Sequence, residues 1–105
     1  CAVLTEFPLL DFSSGTSFNS TWRSCVLLKT FPSSAFDNCT ATDFTEAFRD
    51  TALNTQSIDN ILESLDVAGQ INGTFTQTGG QAPSSSGLAA KASLEAKGWT
   101  ITVTT

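Results

Sequence analysis

The stretch SFNSTWRSC (17–25) is echoed by DFTEAFRDT (43–51), and each carries two aromatic residues four positions apart, Phe18 with Trp22 and Phe44 with Phe48. A 26-residue step lays the first over the second, bringing Phe18 onto Phe44, Trp22 onto Phe48 and Arg23 onto Arg49. A spacing of four puts both rings on one face of a helix. Asp43 followed by Glu46 also has the form of a helix start. Each stretch is therefore expected to form about one or two turns of helix.

Working outward, CAVLTEFP (1–8) returns as CVLLKTFP (25–32), and this 24-residue step also carries Phe7 onto Phe31, Pro8 onto Pro32 and Phe12 onto Phe36. The change of step places two extra residues within DNCTATD (37–43). Such an insertion belongs in a loop, because a slip inside a strand turns its buried face outward. AVLTEF and VLLKTF read as short strands, each ended by a proline that cannot donate to a sheet ladder. A third copy begins at TALNTQ (51–56) and decays. A strand, a loop, a short helix and then a parallel strand make one coil of a stacked repeat, which buries its apolar face only against its neighbours.

The second half continues the alternation. SIDNILESLDVAG (57–69) has Ile58, Ile61, Leu62, Leu65 and Val67 near the helical period and stops at Gly69. NGTFTQTGG (72–80) reads as a strand around Phe75 between turn glycines. QAPSSSG (81–87) is a polar loop whose serines suit the start of a helix over 88–97, and WTITVTT (99–105) alternates as a closing strand. The expectation is an α/β chain forming a short right-handed leucine-rich-repeat-like solenoid, with about five parallel strands, short helices between them and a C-terminal cap. Residues 1–105 form one repeat domain, with repeats at about 1–24, 25–50 and 51–71 and a closing segment at 72–105. Cys at residue 1 suggests a fragment of a longer chain, with Cys1 the counterpart of Cys25 rather than a lipid-attachment point.

Composition excludes several functions. The formal net charge is −5 with only five Lys and Arg, so no basic stripe exists to neutralise a nucleic-acid backbone. No apolar run reaches the ~20 residues needed to cross a bilayer, so no membrane insertion is expected. The chain has no His, which removes the commonest general base and the usual activator of a nucleophilic Ser or Cys, and we expect no enzyme. Three widely spaced cysteines do not make a zinc site, and the carboxylates of Asp11, Asp37, Asp43 and Asp50 lack the spacing of a calcium loop. No metal and no cofactor is expected.

Several features carry two readings. Cys1 and Cys25, at equivalent places in adjacent coils about 4.8 Å apart, fit a ladder of buried thiols or a disulfide; Cys39 falls in the inserted loop. Asn19, Asn38 and Asn72 head Asn-x-Ser/Thr sequences, which a chain this rich in Ser and Thr also produces by chance. Arg23 and Arg49 recur one coil apart and face Glu46 and Asp50 as surface pairs, or form a row presented to a ligand. The recurring Phe and Trp positions read as stacked core columns. Thr5, Glu6, Lys29, Thr30, Thr74 and Thr76, with Thr102 and Thr104 beyond them, are candidates for an exposed recognition face.

The units LTEFP, SFNSTWRSC, LKTFP and AFDNC resemble the leucine-rich-repeat variants of the BspA-like surface proteins, in which an aromatic residue and a Cys recur in each turn. The tail NTQSIDNILESLDVAG, NGTFTQTGG and APSSSGLAAKASLEAKGWTITVT resembles the closing segment found after such repeats in bacterial surface proteins and in marine bacteriophage proteins. Phe and Ser stand where Leu and Asn are usual in the ordinary pattern. The resemblance implies a recognition or adhesion module outside the cell, on a virion or bacterial surface, whose partner is a host-surface glycan or protein. The alternative is a virion decoration or spacer that assembles with other copies of itself.

Overall fold

The computed structural model describes residues 17–104. Their regular elements follow in the order β1 (Asp43–Phe48), α1 (Thr55–Ala68), β2 (Thr74–Gln77), α2 (Ser85–Ala96) and β3 (Thr100–Thr102). The three strands form one parallel sheet in the order β1-β2-β3, and α1 and α2 pack against each other as the intervening connections.

This corrects the five-strand solenoid. Among the described residues there are three strands and two helices, too few for the expected alternation. The largest departure is at 43–48, a strand where a helix is expected. Phe44 and Phe48 share a buried side there, because four residues are two full strand periods as well as about one helical turn. The aromatic spacing therefore fits both states. Backbone pairing decides between them: the amides of Phe18, Ser20, Trp22 and Ser24 donate to the carbonyls of Asp43, Thr45, Ala47 and Arg49 at 2.7–2.9 Å. Residues 17–24 thus run parallel to β1 as a chain of turns, again without a helix. The stretch 26–31, expected as a strand, retains only an isolated bridge at Thr30. AVLTEF, Phe7 and Phe12 lie outside the described residues.

What bends these two layers is a repeated backbone device. Ser20 and Glu46, 26 positions apart, both take left-handed conformations (φ 57° and 54°), as do Ser24 and Asp50 (φ 61° and 59°). Such conformations are costly for residues with a Cβ. Between Phe44 and Phe48 strand β1 spends two more residues than β2 does between Phe75 and Gln77, so the ladder bulges there.

The core follows the columns expected from the repeat. Phe18 stacks on Phe44 at 5.2 Å and Trp22 on Phe48 at 4.8 Å with planes 6° apart. Phe31 and Phe36 insert edge-on, Phe31 against Trp22 and Phe48, Phe36 against Phe44. Phe75 and Ile101 continue the Phe44 register through β2 and β3. Beside Phe48 the register meets Gln77, a fully buried amide. Its Nε2 donates to the Gly79 carbonyl and its Oε1 accepts from the Thr104 amide, so its polar atoms are satisfied.

The helices have local causes. Asn54 caps α1 by accepting from the Ser57 amide, and Ile58, Ile61, Leu62 and Leu65 form its buried stripe. Gly69 ends it in the left-handed conformation. Ser84 begins α2 with no cap from its own side chain. Asp59 of α1 serves instead: its buried carboxylate accepts from the Ser84 amide at 2.9 Å and from the Ser84 hydroxyl, placing a negative charge at the helix start. Gly87 leaves room for it, since a Cβ there would stand 2.1 Å from Asp59 Oδ1.

Candidate functional site

Strand alternation sends Phe44, Phe75 and Ile101 inward and their neighbours to the opposite side. That outer face carries Asp43 and Thr45 on β1, Thr74 and Thr76 on β2, and Thr100 and Thr102 on β3. Thr74 stands beside Thr100 and Thr76 beside Thr102, in register. Ser17 and Asn19 extend the face past β1, where both side chains donate to the Asp43 carboxylate at 3.3–3.4 Å. The result is a grid of hydroxyl and amide groups on parallel strands, with spacing set by the roughly 4.8 Å ladder.

Asp43 is the only ionisable group among these residues. Its pKa is lowered, first by the Thr45 hydroxyl and then by the Thr45 amide, with Asn19 and Ser17 adding to the effect against a small opposing push from burial. It stays a carboxylate that accepts hydrogen bonds. At the neighbouring bend Glu46 pairs with Arg23 at 3.4 Å and with Arg49 at 3.0 Å, and Arg49 reaches Asp50 at 3.7 Å. The two arginines thus meet the acids expected for them, on bulged strand rather than on helix, and neutralise each other's surroundings.

The expected recognition residues do not fall on one face. Thr74 and Thr76 lie on the sheet. Lys29 and Thr30 are exposed but past the bend, where the Lys29 carbonyl accepts from the Asn54 amide. Thr104 folds back to Gln77 and Gly79, and Thr5 and Glu6 lie outside the described residues. Reading 17–25 and 43–51 as helix concealed Ser17, Asn19, Asp43 and Thr45; the signal that reveals them is the polar residue on each side of Phe18 and Phe44, the same pattern that flanks Phe75.

The remaining chemistry is sparse. Among the described residues no group of three or more His, Cys, Asp or Glu stands together to hold a metal ion, and no helix is long and apolar enough to cross a membrane. Cys25 is disulfide-bonded, which sets aside the thiol ladder at that position; its partner lies outside the described residues. Cys39 is a buried free thiol whose pKa is pushed up by burial, opposed by a hydrogen bond with the Ala41 backbone. Asn19, Asn38 and Asn72 are all exposed. No protein-family model, curated protein or solved structure matches the chain.

Proposed function

We propose that this domain is a non-enzymatic recognition module that binds a weakly charged partner, a surface glycan or protein, on the hydroxyl face of its sheet. The observation that carries the reading is the in-register array of Thr74 with Thr100 and Thr76 with Thr102, half-buried on β2 and exposed on β3. Hydroxyls both donate and accept, so a fixed array of them suits a partner rich in hydroxyl or amide groups. Burying them costs less than burying charges. The absence of His from the chain agrees with binding rather than catalysis. The resemblance to BspA-like surface proteins supports the same reading and an extracellular setting on a virion or bacterial surface.

The test is a panel of immobilised glycans and cell-surface proteins probed with the chain and with Thr76→Arg and Thr102→Arg. Loss of the bound partner in both variants, with melting unchanged, is the expected result; retained binding in both removes the sheet as the contact surface. A second reading, a structural component acting through self-assembly, draws on β3, which has β2 as its one sheet neighbour among the described residues. Sedimentation of the chain without any ligand distinguishes the two, since obligate oligomers favour assembly.

A further inference from the structure

Away from the sheet, the turn at 33–38 stands against one stripe of α1 and leaves an open cleft of about 110 Å³ between them. The turn is fastened at its back. The Phe31 amide donates to the Ser57 hydroxyl, Asn60 Nδ2 to the Phe31 carbonyl, and the Phe36 amide to Ser64 Oγ. Ser64 in turn donates to Asp37 Oδ1 at 2.8 Å, which fixes that carboxylate at the cleft wall. Glu63 and Asn60 line the same space, and Val67, 67% exposed, forms an apolar rim.

The charges here are unbalanced. The cleft holds two carboxylates and no basic side chain. Among the described residues no ion pair reaches Asp37 or Glu63, whereas Glu46, Asp50, Asp66 and Glu95 each have a basic partner. Uncharged acceptors surround the acids: serine hydroxyls and the Asn60 amide oxygen. Fewer than three acidic ligands make a weak divalent-cation site. An ammonium group fits better, because it has three donors, no acceptor and a single positive charge, and its alkyl arm finds Val67 at the rim.

We propose that this cleft binds a primary alkylammonium group, held between Asp37 and Glu63 with its carbon chain along Val67. The chemistry is shared by a free amine and by a lysine side chain on a partner protein. The site is separate from the sheet face and does not depend on the function proposed for it.

The experiment titrates the isotopically labelled chain with n-butylammonium chloride, with an acetylated and amidated lysine, and with calcium chloride at matched ionic strength, following backbone amide shifts by NMR. Saturable shifts at Asp37, Asn60 and Ser64 with the amines, while Thr74 and Thr76 stay fixed, are expected; the tighter of the two amines identifies the source. Asp37→Asn and Glu63→Gln should each weaken binding up to about fivefold, the range of one exposed ion pair. Asn at 37 retains an oxygen for Ser64, and Glu63 is exposed with no partner to lose, so Glu63→Gln decides alone if the other variant fails to fold. Absence of shifts, equal shifts in Glu63→Gln, or a stronger response to calcium at the same amides overturns the proposal.

Discussion

Residues 17–54 and residues 55–104 stack parallel layers by different means. The first region has turns, a bulged strand and left-handed serines and acids, and its layers meet through stacked rings. The second has both helices and two straight strands, and its layers are tied by polar side chains reaching across one layer: Asp59 to Ser84, Asp66 to Ser93 and Lys97, Gln77 to Thr104. Aromatic area holds an irregular backbone in place without demanding exact geometry. Hydrogen-bonded side chains need a regular backbone to present them, and they become costly when one partner is lost. The two halves should therefore fail differently.

The largest effect is expected at the centre of the aromatic half. Phe48 is fully buried and touches the rings of Trp22, Phe31 and Phe75. Phe48→Ala should cost about 3–5 kcal/mol, read from the shift in denaturant midpoint at constant slope. Gln77, beside it in register, should behave otherwise. Gln77→Ala opens a smaller void but strands the Thr104 amide and the Gly79 carbonyl, for about 1–3 kcal/mol. A loss from Gln77→Ala as large as that from Phe48→Ala would erase the distinction between the halves.

A double-mutant cycle sharpens the polar side of the comparison. Asp59→Ala removes the acceptor for the Ser84 amide and hydroxyl and should cost about 1–3 kcal/mol. Gly87→Ala drives a methyl onto Asp59 Oδ1, and the Pro83 Cβ at 2.8 Å adds to the crowding. Part of that cost vanishes once Asp59 is shortened, so the two changes should destabilise less together than their separate effects predict. Additive costs would mean that Asp59 does not occupy the start of α2 in solution.

The same contrast explains what could be read from the sequence. The helices of the second half were legible because Ile58, Ile61, Leu62 and Leu65 mark a period that only a helix satisfies, with Gly69 as a stop. β2 and β3 were legible from alternation around Phe75 and Ile101. In the first half Phe44 and Phe48 had the right columns but the wrong backbone, since their spacing of four satisfies strand and helix alike. The choice is made by amides bonding to a neighbouring layer and by left-handed Glu46 and Asp50, and neither leaves a mark such as glycine. The hydroxyl face was half legible for this reason: Thr74 and Thr76 stand out, whereas Asp43 and Thr45 were hidden in the supposed helix. The cleft beside α1 was invisible, because it joins residues some thirty positions apart with no repeated spacing.

Acid should loosen both halves through different carboxylates. Burial pushes the Asp66 carboxyl up, but hydrogen bonds from Lys97 and Ser93 and the Lys97 charge outweigh it, and its pKa is lowered; that of Asp43 is lowered by its neutral donors, Thr45 first. A depressed folded value means stability that is complete above the ordinary carboxylate value of 3.8 and lost as pH falls from there through the folded values. Denaturant melts at about pH 5 and about pH 3 should show a smaller acid loss for Asp66→Asn and for Asp43→Asn than for the unchanged chain. Unaltered acid sensitivity in both variants would mean these bonds are not held in solution.

The smallest effect tests the backbone device that separates the halves. Asp50 takes φ 59° and is exposed, with an ion pair to Arg49 at 3.7 Å as its side-chain contact. Asp50→Gly relieves the left-handed cost of about 1 kcal/mol and loses a surface pair of less than about 1 kcal/mol. It also gives the unfolded chain more freedom, which offsets part of the relief. The net change should lie within about 0.5 kcal/mol of zero. Asp50→Val adds a branched Cβ to the same left-handed position and should be clearly destabilising, by about 1–3 kcal/mol. Equal stability of the Gly and Val variants would show that residue 50 is not left-handed, and the bend shared by residues 17–25 and 43–50 would need another cause.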